Sequence, residues 1–245
     1  MNLTEEQQTI CQAARDLELH SSLKIQAFAG TGKTTTLAAV AKSLPQRKFL
    51  YLVFNRAAAE EAELRMPPNV SARTAHAIAF RSVGHVYKSR LANSPWAWFP
   101  YLKEKMPRAL ESVMRTGRDA TSAGAVIIRT LEQFLRTTDG AIGAFHAPYW
   151  CDDRVGLAAG YAAETLWKNI CKPNSTAPVT HDCYLKLFYL QGQELAPRDW
   201  TVMLDEAQDA DPVILGLLEH WSQRSRSFVT ISAIGDTLIA LSTRS

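Results

Sequence analysis

The chain has 245 residues, 47% of them hydrophobic, and 27 lysines and arginines against 24 aspartates and glutamates leave a formal net charge of +3. Such a chain is globular and can bury a real core as one large or two small domains, and a charge this mild does not by itself announce a polyanionic partner. No apolar run approaches the length that crosses a bilayer, and Cys11, Cys151, Cys171 and Cys183 are too widely spaced for a metal motif, so they read as reduced and mostly buried thiols.

The chain opens on a polar helix start, Thr4 followed by Glu5, Glu6, Gln7 and Gln8, with no apolar signal region. That predicts a cytoplasmic protein, or a nuclear one in a eukaryote. Leu23 to Phe28 reads as a short strand and Thr35 to Leu44 as a helix. Between them runs Ala27-Phe28-Ala29-Gly30-Thr31-Gly32-Lys33-Thr34, where a phosphate-binding loop has to sit. Gly30 and Gly32 let the backbone turn its N–H groups inward around phosphates, and the helix points its positive end at the same place. Lys33 is suited to the β and γ phosphates, and the Thr34 hydroxyl to Mg²⁺, which takes oxygen ligands in an octahedron. The usual pattern opens with glycine where this chain has Ala27, a change that costs little at negative φ. The plainer reading is a Gly/Thr-rich turn; Gly-Lys-Thr between a strand and a helix favours the phosphate loop.

Further strands are predicted at Phe49 to Phe54 and at Val70 to Arg73. About 120 residues then separate the third strand from the fourth, too many for a plain loop. Their periodicity is helical, as in Ala125 to Leu135 and Tyr161 to Cys171, with breaks at Pro95, Pro107, Pro148 and Pro173. From Arg81 to Ala120 eight lysines and arginines face three acids, interleaved with Tyr87, Trp96, Trp98, Phe99 and Tyr101. This stretch suits a polyanion whose bases stack on rings, and it equally suits a solvated helical face with its aromatics in the core. The fourth strand, Thr201 to Asp205, is apolar and ends in Asp205-Glu206; from Asp199 to Glu219 there are six acids and no base. Carboxylates at a strand exit suit a metal, Asp205 holding Mg²⁺ and Glu206 polarising the attacking water, although acids also favour a helix N-terminus. A helix from Pro212 to Trp221 and a strand from Phe228 to Ile234 complete the pattern of a parallel α/β sheet.

Leu3-Thr4-Glu5-Glu6-Gln7, the Ala-rich phosphate loop, Phe54-Asn55-Arg56-Ala57-Ala58, Thr74-Ala75-His76 and Asp205-Glu206-Ala207-Gln208-Asp209 stand in an order that resembles the UvrD/Rep branch of superfamily 1 DNA helicases. The resemblance is strong over residues 1 to 80 and 180 to 236 and weak between. Tyr184-Leu185-Lys186-Leu187-Phe188 and the phrase Thr74 to Phe80 look closest to the F-box DNA helicase-like subgroup. It implies a RecA-like core in two parts, residues 1–80 and 196–245, with residues 81–195 a helical subdomain that touches duplex DNA.

The resemblance also implies roles. Gln7 reads the adenine edge, against a plain helix-surface residue as the alternative. Ala29, Gly30, Thr31, Gly32, Lys33, Thr34 and Thr35 cradle ATP; Thr34 and Asp205 hold Mg²⁺; Lys33, Glu206 and Gln208 serve hydrolysis. Phe54, Asn55, Arg56, Thr74 and His76 meet single-stranded DNA or a single/double-strand junction, although a lone histidine is more often structural. After Gly235-Asp236 the resemblance asks for a Gln three residues on and an Ile-Tyr pair, where the chain has Ile239 and Leu241-Ser242. That predicts a truncated or frame-disrupted helicase, with Thr237 to Ser245 unrelated. The second RecA-like domain would then be missing, and with it an arginine worth about 10³ to 10⁵ in rate. Such a chain binds MgATP better than it hydrolyses it. Two other readings stand beside this one: an ATP-binding module completed by a partner chain that supplies the second RecA-like domain, and a phosphate-loop kinase or NTPase with no DNA role.

Overall fold

The structure, a computed structural model, describes residues 3–17, 21–27, 32–205, 207–223 and 227–233, with the side chains of Ala27, Gln208 and 227–233 excepted. In chain order the elements are α1 (Glu5–Arg15), β1 (Ser21–Ala27), α2 (Lys33–Ser43), β2 (Phe49–Leu52), α3 (Arg56–Arg65), β3 (Val70–Arg73) and α4 (Ala75–Ser82). There follow α5 (Trp98–Lys105), α6 (Pro107–Met114), α7 (Ala120–Leu135), α8 (Asp153–Cys171), α9 (His181–Leu190), β4 (Thr201–Leu204), α10 (Pro212–Ser222) and β5 (Ser227–Ala233).

Residues 1–78 and 194–245 form one compact unit. Its five described strands are all parallel, in the order β1-β5-β4-β2-β3, which is the RecA-like α/β sheet the sequence predicts. Every residue of Phe49–Leu52 and of Thr201–Leu204 is buried, as expected for central strands of a parallel sheet covered on both faces. Ile25, Leu37, Ala41, Phe49, Tyr51, Ala62, Ala72 and Met203 pack into one core, and α1 closes on α2 through Cys11, Ala14, Ala39 and Val40. Asn69 ties the start of β2 to the end of α2. Its Nδ2 lies 3.0, 3.1 and 2.9 Å from the carbonyl oxygens of Ala41, Leu44 and Arg47.

Residues 79–193 form the second unit, which is helical. Trp98, Leu102, Val113, Ile127, Leu131, Phe134, Leu166 and Ile170 are fully buried in its core. The Trp98 indole donates to Pro178 O at 2.9 Å, so the ring is buried without an orphaned N–H. Arg90 reaches Ile170 O, Lys172 O and Ala177 O at 2.6 to 2.9 Å, satisfying carbonyls where α8 ends.

Most element boundaries move by one or two residues from expectation. β2 stops at Leu52 and β4 at Leu204, so Phe54 and Asp205 stand just past their strands. α2 starts at Lys33 and not at Thr35, because Gly32 takes φ +76° and turns the chain directly into the helix. α7 and α8 start five and eight residues ahead of the expected Ala125 and Tyr161. Asp119 and Asp152 are their N-caps, accepting from Thr121 and Ser122 N–H and from Val155 N–H. Of the aromatics between Arg81 and Ala120, Tyr87 and Trp98 lie in the core, as the solvated-face reading requires, while Trp96 is 52% exposed. Ile234 and the segment Thr237 to Ser245 lie outside the described residues.

Candidate functional site

Parallel strands deliver their carboxyl ends to one edge of a sheet, and ligands of open α/β sheets bind there. The register aligns Leu204 with Leu52 and with Thr230, and Ala27 with Ala233. The residues that follow β1, β2, β3 and β4 therefore share that edge.

Gly32 is the N-cap of α2, and its φ of +76° is the left-handed conformation that side chains resist. Lys33 and Thr34 occupy the first turn, beside N–H groups that lack intrahelical partners and carry the positive end of the helix dipole. Ala29, Gly30, Thr31 and Glu206 lie outside the described residues, and so does the Gln208 side chain. Thr35 is exposed.

Thr34 Oγ1 donates to Asp205 Oδ2 at 3.2 Å, across 171 residues of chain. Two cis ligands of an octahedral Mg²⁺ at about 2.0–2.1 Å sit about 2.9 Å apart, so this hydroxyl and carboxylate are spaced to share one cation. The donor set, all oxygen, also fits that ion. Asp205 is 9% exposed and is held by Tyr51, whose hydroxyl donates to the same Oδ2 at 2.7 Å. The motifs do not include Tyr51. Its signal was a phenol within the buried run Phe49–Leu52, since a buried hydroxyl has to find a partner.

Gln7 stands over the start of α2. Its Oε1 accepts from Thr4 N–H at 3.1 Å in a capping box, and its Nε2 donates to Thr36 Oγ1 at 3.1 Å. An amide has two N–H groups and two lone pairs, so among the described residues one of each remains for a ligand. A cavity of ≈ 550 Å³ borders the same helix, lined by Leu3, Thr34, Thr35, Lys42, Arg65 and Met66 among others.

Phe54–Arg56 and Thr74–His76 leave the adjacent strands β2 and β3, joined by Val53 N–H donating to Arg73 O at 3.1 Å. The structure brings these two motifs together. Phe54 is 40% exposed. Asn55 and Thr74 also hold the backbone, Asn55 Oδ1 accepting from Ala58 N–H at 2.8 Å and Thr74 Oγ1 from Ala77 N–H at 3.0 Å. Arg56 pairs with Glu60 at 2.7 Å, but with side-chain exposures of 91% and 63% this ion pair contributes little and yields readily to a phosphate. His76 is half-buried. No group of three or more metal-ligating His, Cys, Asp or Glu side chains occurs among the described residues, nor any helix long and apolar enough to cross a membrane.

Residues 11–241 match the AAA domain family, a match that continues past Asp236, where the motif pattern ends. The chain is 33% identical over 232 residues to F-box DNA helicase 1 of Gallus gallus, covering 89% of this chain and 22% of that protein. It is 32% identical over 228 residues to F-box DNA helicase protein 1 of Schizosaccharomyces pombe, covering 88% of this chain and 26% of that protein. It thus spans about a quarter of the length of these curated relatives. With a parallel RecA-like sheet, a glycine-turned helix start facing an aspartate at a strand exit, and a match over nearly its whole length, the chain belongs to the AAA domain family, as an ATP-binding portion of the UvrD/Rep-like superfamily 1 helicases.

Proposed function

We propose that this chain is the ATP-binding domain of a DNA helicase that couples MgATP hydrolysis to movement on single-stranded DNA, weak in hydrolysis when alone. The observation that carries the reading is the 3.2 Å approach of the Thr34 hydroxyl and the Asp205 carboxylate, at the same sheet edge that presents Phe54 and Arg56. Lys33 neutralises the β and γ phosphates, and Ala29 to Gly32 cradle them with backbone N–H groups. Thr34 and Asp205 would hold Mg²⁺, which would offset the charge of the phosphates. Gln7 reads the adenine edge with its remaining N–H and lone pair, and the base lies in the cavity beside Thr35. Glu206 polarises the attacking water, and Gln208 couples that step to the DNA track. Phe54 stacks on a base, Arg56 meets a phosphate, and Asn55, Thr74 and His76 complete the contact with the strand. Residues 79–193 act as the subdomain that faces duplex DNA.

Binding of a fluorescent ATP analogue and phosphate release, each with and without single-stranded DNA, test these roles. Lys33→Ala should abolish nucleotide affinity, whereas Glu206→Gln should keep it and lose turnover. Equal loss of binding in both variants contradicts the assignments. If DNA changes neither nucleotide affinity nor release, the chain is not a DNA-coupled motor.

A further inference from the structure

Arg129, Glu132 and Gln133 on α7 and its C-cap Arg136 recur at three- and four-residue spacing and so share one face of that helix. Together with Phe145, His146 and Tyr149 they line a cavity of ≈ 490 Å³, within the helical unit and outside every motif used above. Its rings stand in solvent: Phe145 is 73% exposed, Tyr149 99%, and the neighbouring Trp150 47%. Three large rings bared within six residues mark a surface that is used.

Phe145 is built into its place. Its ring lies back over Gly143, where an added Cβ would come within 2.4 Å of it, and it leans on His146 with centroids 4.2 Å apart. His146 is 2% exposed. Its Nδ1 accepts from Gly143 N–H at 3.1 Å, which leaves the proton on Nε2 to be donated to Asp139 Oδ2 at 3.1 Å. Lys186, fully buried, donates to Thr137 O and Asp139 O at 2.6 and 2.7 Å and fixes the turn that carries Asp139. Gly160 of α8 lets this segment approach closely, since a Cβ there would stand 3.1 Å from the backbone of Gly143. A ring held this way loses little entropy when a flat ligand stacks on it. Arg129 and Arg136 are exposed, and neither guanidinium has a hydrogen bond or ion pair to another described residue; the Glu132 carboxylate between them attracts both without contact.

We propose that this cavity seats one nucleotide of single-stranded DNA, its base stacked on Phe145 and Tyr149 and its phosphate held by Arg129 and Arg136, a reading that rests on the DNA-coupled function above. Two arginines against the single Glu132 carboxylate leave the face net positive, which calls for an anion, while bare rings call for a flat one, and a nucleotide joins the two. Glu132 and Gln133 on the same face offer acceptors to an exocyclic amine, which cytosine and adenine carry and thymine lacks.

The test is fluorescence anisotropy of labelled oligodeoxycytidylate and oligothymidylate with the whole chain, titrated in NaCl. Phe145→Ala/Tyr149→Ala should weaken binding about tenfold, the loss of one stacked base. Tyr149→Ala alone, at a side chain that supports nothing in the fold, should weaken it in part. Arg129→Ala/Arg136→Ala should lower the salt slope by about 0.7, the share of the one phosphate that both arginines hold. The cytidylate should bind more tightly than the thymidylate, and Glu132→Ala should erase the difference. If the aromatic variants bind as the parent does while Arg56→Ala weakens binding, the cavity is not a DNA site and the motor reading stands. If the parent chain binds neither oligonucleotide, both readings fall.

Discussion

Replacing Tyr51 with phenylalanine removes one hydroxyl and keeps the ring in the core. That hydroxyl donates to Asp205 Oδ2 at 2.7 Å from a side chain only 3% exposed, so it is a short, charge-assisted bond in a dry setting. Hydrogen bonds to charged groups contribute about 1.5–3 kcal/mol. For a chain of this size that predicts a melting temperature lower by about 2–4 °C per kcal/mol lost. Two effects then compete at the cation. Freed of one donor, the carboxylate becomes a stronger ligand, but it also loses the contact that aims it toward Thr34. Mg²⁺ demands near-ideal octahedral geometry, so orientation wins, and partners of this kind are worth about 10–100-fold in metal affinity. Tyr51→Phe should therefore raise by that factor the Mg²⁺ concentration needed for half-maximal binding of a fluorescent ATP analogue. Nucleotide affinity in EDTA should not change. A lowered melting temperature with an unchanged Mg²⁺ half-point would refute the reasoning, because the hydroxyl would then serve folding alone.

Arg56→Ala should weaken single-stranded DNA binding and lower its salt slope by about 0.7, whereas Glu60→Ala, which only frees Arg56 from an exposed pair, should leave the slope intact; identical slopes for Arg56→Ala and the parent place Arg56 off the strand. Gly32→Ala should cost about 1–2 kcal/mol in urea denaturation through its φ of +76°, the nearest atom of the described residues to the added Cβ being 3.7 Å away. Gly32→Asn should cost less, since asparagine tolerates that conformation, and equal losses would assign the effect to something other than the backbone. Burial pushes the Cys171 and Cys183 thiols up to about 12 from 9.0, so above about pH 9 the unfolded chain releases protons that the folded one retains. Stability should be fully present below that pH and fall from pH 9 toward 12; a denaturation midpoint that is flat between pH 8 and 10.5 contradicts this.

The strands and their order in sequence were legible because a covered parallel sheet leaves short apolar runs, and Phe49–Leu52 and Thr201–Leu204 are such runs. The starts of α7 and α8 were legible too, in Asp119 and Asp152, but the apolar period that marks a helix sets in only a turn or more after its cap. Lys33, Thr34 and Asp205 could be named because their chemistry is written in local spacing. Tyr51 could not: its partner is 154 residues away, and a strand pattern says that a side chain is buried without saying which element it meets. Asn69 is hidden for the same reason, an ordinary turn residue in sequence that gathers three carbonyls in space.

Composition fails in a more instructive way at the aromatic surface. Counting rings and cations along the chain selects Arg81 to Ala120, yet Tyr87 and Trp98 turn inward there, because helical phase and not local density decides which face meets solvent. The bared rings are Phe145, Tyr149 and Trp150, in a stretch with no lysine or arginine between Arg136 and Arg154. Their cations come from α7 and its C-cap, a separate element whose Arg129 and Arg136 lie on one face. A stacking platform combines rings with a positively charged surface, and the fold can draw the two from different elements. Such a site leaves no clustered trace in sequence. The search for further strand contacts in this family should therefore start from exposed rings and ask which exposed arginines line the same cavity.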